Sequence, residues 1–328
     1  MPDLTHDHAN AIALAETAAK LAAECRTADA LRAFEAVLAS STAPEILGLA
    51  ARFFLRIGNL ARARDLALRG AEGATEPLCQ ADFLFTLGCS CERLGHFDEA
   101  ERRFREAASV FDQLHLIDGV ANCTGRIGVI YKLRGDLEGA ETLLREALSL
   151  SGNSGPAVAR QLGEIAKLCR IRGNLDEATK LHRQALAIYQ QSSDRSGIAT
   201  SEGNLGVIYL ERSELDSAEH AFEVALEMNE ALGNLEEVAT SYGNLGIIQK
   251  NRGNFERAGA FYAKALDIET QLGRREGIAR AYANLGTLEK QRTNLEAART
   301  FWLKALEIYS ELGMSRQVQQ LQALFDAS

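Results

Sequence analysis

Three nearly identical stretches, spaced forty residues apart, indicate how this chain folds. They are "SEGNLGVIYL" (Ser201–Leu210), "SYGNLGIIQK" (Ser241–Lys250) and "AYANLGTLEK" (Ala281–Lys290). A fixed spacing of this kind is typical of an internal repeat, in which each copy folds as one unit and its neighbours cover its apolar surface. The same period is therefore expected elsewhere in the chain.

The repeat runs through most of the sequence and is anchored on one alanine per copy. The intervals between anchors are 33, 37, 40, 38, 40, 40 and 40 residues. Most anchors have a bulky side chain four residues later, a second alanine seven residues later and a small residue twelve residues earlier. Small residues let two helices approach closely, and bulky ones fill the space beside them. The anchors are Ala30, Ala63, Ala100, Ala140, Ala178, Ala218, Ala258 and Ala298.

Each copy contains two helical patterns. The first ends near a turn such as "RGNL" (Arg172–Leu175), and the second ends at Leu-Gly, as at Gly233, Gly273 and Gly313. Glycine suits a helix end because it adopts the left-handed backbone conformation without a Cβ clash. One such helix pair cannot bury both of its apolar stripes, so the copies must stack on one another.

The motif resembles the tetratricopeptide repeat, in which small-Leu-Gly in helix A precedes alanine, an aromatic residue and alanine in helix B. Here it appears as Leu205-Gly206, Ala218, Phe222 and Ala225. The resemblance spans residues 11–314 as eight units and is similar to the forty-residue repeats of polarity scaffolds, kinesin-light-chain adaptors and bacterial signalling regulators. It implies an all-α fold, a right-handed superhelix of about eight helix pairs with helix A lining the concave face.

The two ends of the chain differ from this array. We expect residues 1–10 to be a flexible N-terminus and residues 315–328 to be a C-terminal capping helix. The last segment is rich in glutamine on one face and apolar on the other, which suits a cap over the open end of a repeat array. Its apolar side chains are Val318, Leu321, Leu324 and Phe325.

The composition narrows the function. The net charge of −9 argues against a general nucleic-acid binder, which is usually basic. No run of about 18 apolar residues is present, so we expect no membrane span. The N-terminus has no secretory signal pattern, and the six cysteines are irregularly spaced, which favours reduced thiols and a cytoplasmic location.

No motif in the sequence indicates catalysis, a cofactor or a metal. The glycine-rich phosphate loop, "HExxH" and "GxSxG" are all absent. Cys89 and Cys91 in "CSC" would point about 200° apart on a helix and could not chelate one ion. His182 holds the aromatic position of its repeat and is predicted to pack in the core. We expect a protein that is not an enzyme and carries no cofactor.

Asparagines mark the predicted binding surface. With Gly206 taken as position 8 of helix A, positions 4, 7, 8 and 11 face the stack, and positions 2, 5, 6, 9, 12 and 13 face the opposite way, toward the concave side. Position 6 is Asn204, Asn244 and Asn284. An amide both donates and accepts hydrogen bonds, which matches a peptide main chain, and asparagine is a mediocre helix former. The resemblance implies the same role. Inherited repetition or a bond to a neighbouring helix are the alternatives.

Glycines occupy the neighbouring position 5, as at Gly203 and Gly243. A glycine inside a helix costs roughly 0.5–1 kcal/mol relative to alanine. The missing side chain makes room either for a ligand or for the neighbouring A helix. The same position in earlier units is Gly125 and Gly163.

Basic residues form a broken row on the same face. Lys250 and Lys290 hold position 12, and Arg280 holds position 2. Lys132 and Arg170 hold position 12 in earlier units. These cations could pair with acidic side chains of a partner, or they could simply sit favourably near helix C-termini.

Together these features favour a non-enzymatic protein–protein interaction scaffold that binds an extended peptide or partner segment in the concave groove. The alternative is a sensory or regulatory protein that binds a small signal, a peptide or a metabolite, and modulates a partner. Homo-oligomers formed through the stacking faces are also possible.

Overall fold

The computed structural model describes residues 4–23, 26–152 and 155–326. In these residues the regular structure consists of seventeen α-helices and no strand. In chain order they are α1 (Leu4–Ala23), α2 (Thr27–Ser40), α3 (Pro44–Arg56), α4 (Leu60–Gly73), α5 (Pro77–Arg93), α6 (Phe97–Gln113), α7 (Ile117–Leu133), α8 (Leu137–Leu150), α9 (Pro156–Ile171), α10 (Leu175–Gln191), α11 (Arg195–Glu211), α12 (Leu215–Leu232), α13 (Leu235–Asn251), α14 (Phe255–Gln271), α15 (Arg275–Gln291), α16 (Leu295–Glu311) and α17 (Ser315–Asp326).

The helices alternate as the repeat predicts. Odd-numbered helices from α1 to α15 are the A helices, even-numbered ones are the B helices, and α17 follows the eighth pair. The prediction of an all-α fold built from helix pairs is confirmed. Helix α1 begins at Leu4, within residues 1–10, which we expected to be flexible. The alanine-rich segment from Ala9 to Ala23 favours helix, and the helix that it forms continues toward the N-terminus as far as Leu4.

The chain divides into two compact units, which we describe separately. Unit 1 is Met1–Gly197, and unit 2 is Ile198–Ser328. In unit 1, α5 packs on α6, α7 on α8 and α9 on α10. In unit 2, α13 packs on α14, α15 on α16, and α17 covers part of α16.

The alanine anchors lie where the two helices of a pair meet. Ala258 and Ala298 are fully buried, as are the bulky residues four positions later, Tyr262 and Trp302. A Cβ atom added at Gly286 would lie 2.4 Å from Cδ1 of Trp302, well inside van der Waals contact. The small residue in helix A is therefore required by the large ring of helix B, as the spacing predicts.

Arginines at the ends of A helices link successive repeats. Arg252, the C-cap residue of α13, bonds both Asp216 and Glu219 at the start of the preceding B helix. Arg292, the C-cap residue of α15, reaches Glu256 in the same way, with an N–O distance of 2.7 Å. Each arginine therefore lies near the carbonyl end of its own helix and is also paired with the previous repeat.

The cysteines and His182 belong to the core or its margin. Cys89 and Cys91 are buried, and the five described cysteines, which include Cys79, Cys123 and Cys169, are free thiols. Cys25 lies outside the described residues. His182 is almost fully buried, which confirms its prediction as a core histidine, and burial lowers the pKa of its imidazole to about 4.

Candidate functional site

The predicted binding residues lie together on one side of the A helices of unit 2. The buried positions of α13 are 1, 3, 7, 8, 10 and 11, together with Val238 just before them, whereas positions 5, 6 and 12 are half-buried. We call the surface formed by positions 2, 5, 6, 9, 12 and 13 the A-helix face. On unit 2 its predicted site residues are Gly203, Asn204, Gly243, Asn244, Lys250, Arg280, Asn284 and Lys290.

The three asparagines keep most of their hydrogen-bonding capacity. Asn204 donates from Nδ2 to the carbonyl oxygen of Thr200, 2.9 Å away in its own helix, and its side-chain oxygen takes no part in this bond. Asn244 and Asn284 make no hydrogen bond to any residue that the structure describes. The alternative of a bond to a neighbouring helix therefore does not account for Asn244 and Asn284. Three A helices, α11, α13 and α15, each carry one asparagine at the same register, although a helix gains little from asparagine.

The glycines beside them border open space. A Cβ atom added at Gly243 would meet no atom within 4 Å, and one added at Gly203 would touch only Cβ of Ala225, at 4.0 Å. Gly125 in unit 1 is different, because an added Cβ would lie 2.4 Å from Oε1 of Gln161 on the next A helix. A neighbouring helix therefore accounts for Gly125, whereas nothing in the described structure fills the space at Gly243.

The three predicted cations have three different environments. Lys250 is half-buried with no ion-pair partner among the described residues, and burial lowers its pKa. The Nζ atom of Lys290 lies 5.7 Å from the ring centroid of Trp302. Arg280 donates from Nη2 to Oε1 of Glu269 at 3.2 Å. A partly desolvated, unpaired ammonium group is held at a cost in free energy.

The A-helix face of unit 1 satisfies its own charges. Nζ of Lys132 lies 2.5 Å from Oε2 of Glu164, and Nζ of Lys167 lies 2.7 Å from its Oε1. Burial alone would raise the pKa of Glu164, but these two lysines lower it to about 2. Arg126 pairs with Glu92 at 3.3 Å. Because Lys132 is paired with Glu164, it is not available to a partner, although it holds position 12 as Lys250 does.

Two tyrosines of the A helices, Tyr242 and Tyr282, have a structural role. The ring of Tyr242 stacks on that of Phe261 with a centroid distance of 6.0 Å, and its hydroxyl donates to Glu230 at 2.9 Å. Nζ of Lys264 lies 4.9 Å from the centroid of the same tyrosine ring. Tyr282 is stacked on Phe301 in the same way one repeat later.

Sequence reasoning missed one residue at this site, the buried Glu269 that holds Arg280. A signal was present, because Glu269 stands eleven residues after its anchor alanine, where other repeats carry an aromatic residue. A carboxylate at an aromatic core position is unusual enough to have been noticed.

The described residues form neither a metal-ligand cluster nor a membrane-spanning helix. Within residues 4–23, 26–152 and 155–326, no three or more His, Cys, Asp or Glu side chains gather into a possible metal site. Over the same described part of the chain, no helix has both the length and the apolar character needed to cross a membrane.

Comparison with known families agrees with the geometry. A family model described as tetratricopeptide repeat matches residues 158–231 and 237–326, half of the chain, and a second model with the same description matches residues 120–152. The chain therefore belongs to the tetratricopeptide-repeat family. Proteins built from this repeat are typically interaction scaffolds and not catalysts. No curated protein sequence matches the chain.

Solved structures with the same fold include three that differ widely from this chain in sequence. A Rap protein in complex with competence and sporulation factor is 14% identical, with 97% of each chain covered and a TM-score of 0.62. Cut9 in the APC/C Cut9–Hcn1 heterotetramer is 15% identical over 94% of this chain and 55% of its own, with a TM-score of 0.64. BtubC from P. vanneervenii is 22% identical over 68% of this chain and 92% of its own, with a TM-score of 0.55. At these identities the likeness shows the fold alone.

Proposed function

We propose that this protein is a non-enzymatic interaction scaffold that binds an extended segment of a partner protein along the A-helix face of unit 2. The observation that carries the proposal is the row of asparagines at one register. Two of them, Asn244 and Asn284, have no hydrogen bond within the described structure, and the space at Gly243 is open. Amides in such a row can bind main-chain groups of an extended peptide whatever its side chains are.

The glycines and cations add to this recognition. At Gly203 and Gly243 a partner's main chain can approach the helix without meeting a side chain. Lys250, Lys290 and Arg280 provide positive charge on the same face, which favours a segment with aspartate or glutamate side chains. We therefore propose an acidic, extended segment as the occupant.

The structural neighbours support a protein or peptide partner. Two of these neighbours were solved with a bound partner: the Rap protein is in complex with competence and sporulation factor, and Cut9 is assembled with Hcn1. The free thiols of the described cysteines suit the reducing environment of the cytoplasm, where we propose that the protein acts.

A second candidate function is that of a regulator whose repeats bind a small signal and thereby alter the activity of a partner. The likeness to the peptide-bound Rap protein across 97% of both chains favours it. The two candidates differ in what is captured. If the protein is a scaffold, a pull-down with peptide mapping should recover a segment of a partner protein. If it is a regulator, a small ligand should bind and change its affinity for a separate protein. The same pull-down identifies a second copy of the chain if the protein is its own partner.

The central test is a triple variant, in which Asn204, Asn244 and Asn284 are each changed to alanine. Each net hydrogen bond contributes about 0.5–1.5 kcal/mol, so the loss of three should weaken binding of a mapped partner peptide by about a hundredfold. Helicity should be kept, because alanine is the better helix former. The measurements are titration by fluorescence polarisation and circular dichroism of both proteins.

The matched control places three alanines at one register on the exposed side of the B helices of unit 2, at Glu227, Asp267 and Glu307. Its affinity should equal that of the wild type in high salt, where the charge difference is screened. Wild-type affinity itself should fall moderately as salt rises if the lysines take part. Equal affinity of the wild type and the asparagine variant would exclude the asparagines from binding.

A further inference from the structure

Arg280 is anchored by a carboxylate in the core of unit 2. Oε1 of Glu269 accepts a hydrogen bond from Nη2 of Arg280 at 3.2 Å. The Glu269 side chain is only 2% exposed, whereas that of Arg280 is 45% exposed. Among the residues that the structure describes, Arg280 makes no second hydrogen bond, so none of them uses its other N–H donors. The guanidinium of Arg280 is thus held through Nη2, while the rest of the group is accessible to solvent.

The same carboxylate belongs to a short chain of charges that crosses unit 2. Nη1 of Arg274, in the turn before α15, lies 3.3 Å from Oε2 of Glu269, an ion contact without hydrogen-bond geometry. Nη2 of Arg274 lies 3.0 Å from Oε1 of Glu236 on α13. Glu269 therefore faces one cation in the turn, one on α15 and, beyond Arg274, a second carboxylate on α13.

In two other repeats the position of Glu269 holds an aromatic ring that packs over a glycine, Phe111 over Gly119 and Tyr189 over Gly197. A Cβ atom added at Gly197 would lie 2.2 Å from Cδ1 of Tyr189, because the ring packs directly over this glycine. One added at Gly277 would lie 2.0 Å from Cδ of Glu269. The carboxylate of Glu269 therefore packs over Gly277 as the ring of Tyr189 packs over Gly197. The repeats with an aromatic residue at this position are those of Phe111, Tyr189 and Tyr309.

Stability of the fold does not explain why a carboxylate stands here. Burial raises the pKa of Glu269, which Arg274 and Arg280 only partly offset, so the ionised side chain is held in the core at a cost. An aromatic side chain over Gly277 would bury apolar surface without the cost of desolvating a charge. What the carboxylate supplies, and an aromatic ring cannot, is an ion contact to Arg274 in the turn and a charged bond to Arg280 on the A-helix face.

We propose that Glu269 is a positioning residue that holds Arg280 in place to receive a carboxylate of the bound partner. The proposal rests on the function proposed above and assigns one specificity-determining contact within it. A flexible arginine loses side-chain freedom when it binds, and a fixed one has lost that freedom beforehand. The fixed guanidinium also presents its planar fork in one orientation, which suits a carboxylate better than an amide.

The test uses four variants of the full chain and two probes. The probes are a fluorescein-labelled peptide of alternating glutamate and glycine and its counterpart with glutamine. Glu269→Tyr copies the Tyr189 arrangement over a glycine, Glu269→Gln keeps the shape without the charge, and Arg280→Ala removes the group that is positioned. The fourth variant combines Arg280→Ala with Glu269→Gln. Circular dichroism verifies that each is folded.

We expect either Glu269 variant to bind the glutamate peptide about three- to tenfold more weakly, the penalty for ordering one flexible side chain on binding. Affinity for the glutamine peptide should stay unchanged, which a general loss of structure would not produce. The double variant should bind as Arg280→Ala does, because Glu269 acts through Arg280. Additive losses, or full affinity in both Glu269 variants, would overturn the proposal.

A measurement without ligand separates this proposal from the proposed function. The Nε–H signal of Arg280 in a ¹H–¹⁵N spectrum should show a restricted side chain in the wild type and a mobile one in Glu269→Gln. Gly277→Ala should also release it, because the added methyl group would displace the carboxylate while leaving every charge in place. If the wild type binds neither peptide, the proposed function fails for this class of partner. An Arg280 signal as mobile in the wild type as in the variants would refute the positioning role itself.

Discussion

Two glycines in α13, three residues apart, should respond to alanine in opposite ways. A Cβ atom at Gly243 would meet no atom within 4 Å, whereas one at Gly246 would lie 2.4 Å from Cε1 of Tyr262. Tyr262 is fully buried, so its ring cannot swing into solvent to make room. Alanine at Gly243 therefore tests helix propensity alone, whereas alanine at Gly246 tests helix propensity and core packing together.

The magnitudes follow from these contacts. Alanine in a helix interior is favoured over glycine by roughly 0.5–1 kcal/mol. Gly243→Ala should raise the free energy of unfolding by about that amount, since nothing opposes it. Gly246→Ala gains the same propensity but overpacks the core, which costs about 1–3 kcal/mol. The net effect at Gly246 should be a loss of up to about 2 kcal/mol.

The assay is urea denaturation monitored by the fluorescence of Trp302, the single tryptophan of the chain, which is buried in unit 2. The midpoint should move up for Gly243→Ala and down for Gly246→Ala. Gly243→Ala should also weaken partner binding although it stabilises the fold, because its methyl group occupies the open space on the A-helix face. Midpoints that move in the same direction would refute the assignment of one glycine to packing and the other to the surface.

Two further predictions concern the core. Ala258→Leu should destabilise the protein by about 1–3 kcal/mol or more, because Ala258 is fully buried between two helices, whereas Glu256→Leu should cost less than about 1 kcal/mol at a side chain that is 96% exposed; equal denaturation midpoints would show that the repeat register is wrong. For His182, burial and the nearby Lys167 lower the imidazole pKa from 6.5 to about 4, so the unfolded chain takes up a proton in this window and the folded protein does not. Stability should therefore be complete above about pH 6.5 and fall by about 3 kcal/mol as the pH drops to about 4. His182→Leu should flatten this part of the pH profile in chemical denaturation, and an unchanged profile would mean that another group causes it.

Much of the fold follows from the sequence, because its determinants lie within one forty-residue copy. The spacing of Gly286 and Trp302 predicts that a small residue in helix A faces a large one in helix B, and the two are in contact. Helix ends, the pairing of helices and the side of helix A on which Asn244 lies all depend on local periodicity. These features could be predicted without knowing how one copy meets the next.

The role of each site residue depends on how neighbouring repeats pack against each other, and the sequence of a single repeat does not determine that packing. Gly125 and Gly243 hold the same position in the motif, yet Gln161 from the next A helix fills the space at the first and nothing fills it at the second. Lys132 and Lys250 also share a position, but the partner of the first is Glu164, one repeat away, and the second has none among the described residues. The tertiary structure decides these cases because an ion pair or a filled gap needs two side chains from different repeats. Their distance is set only when the helices stack.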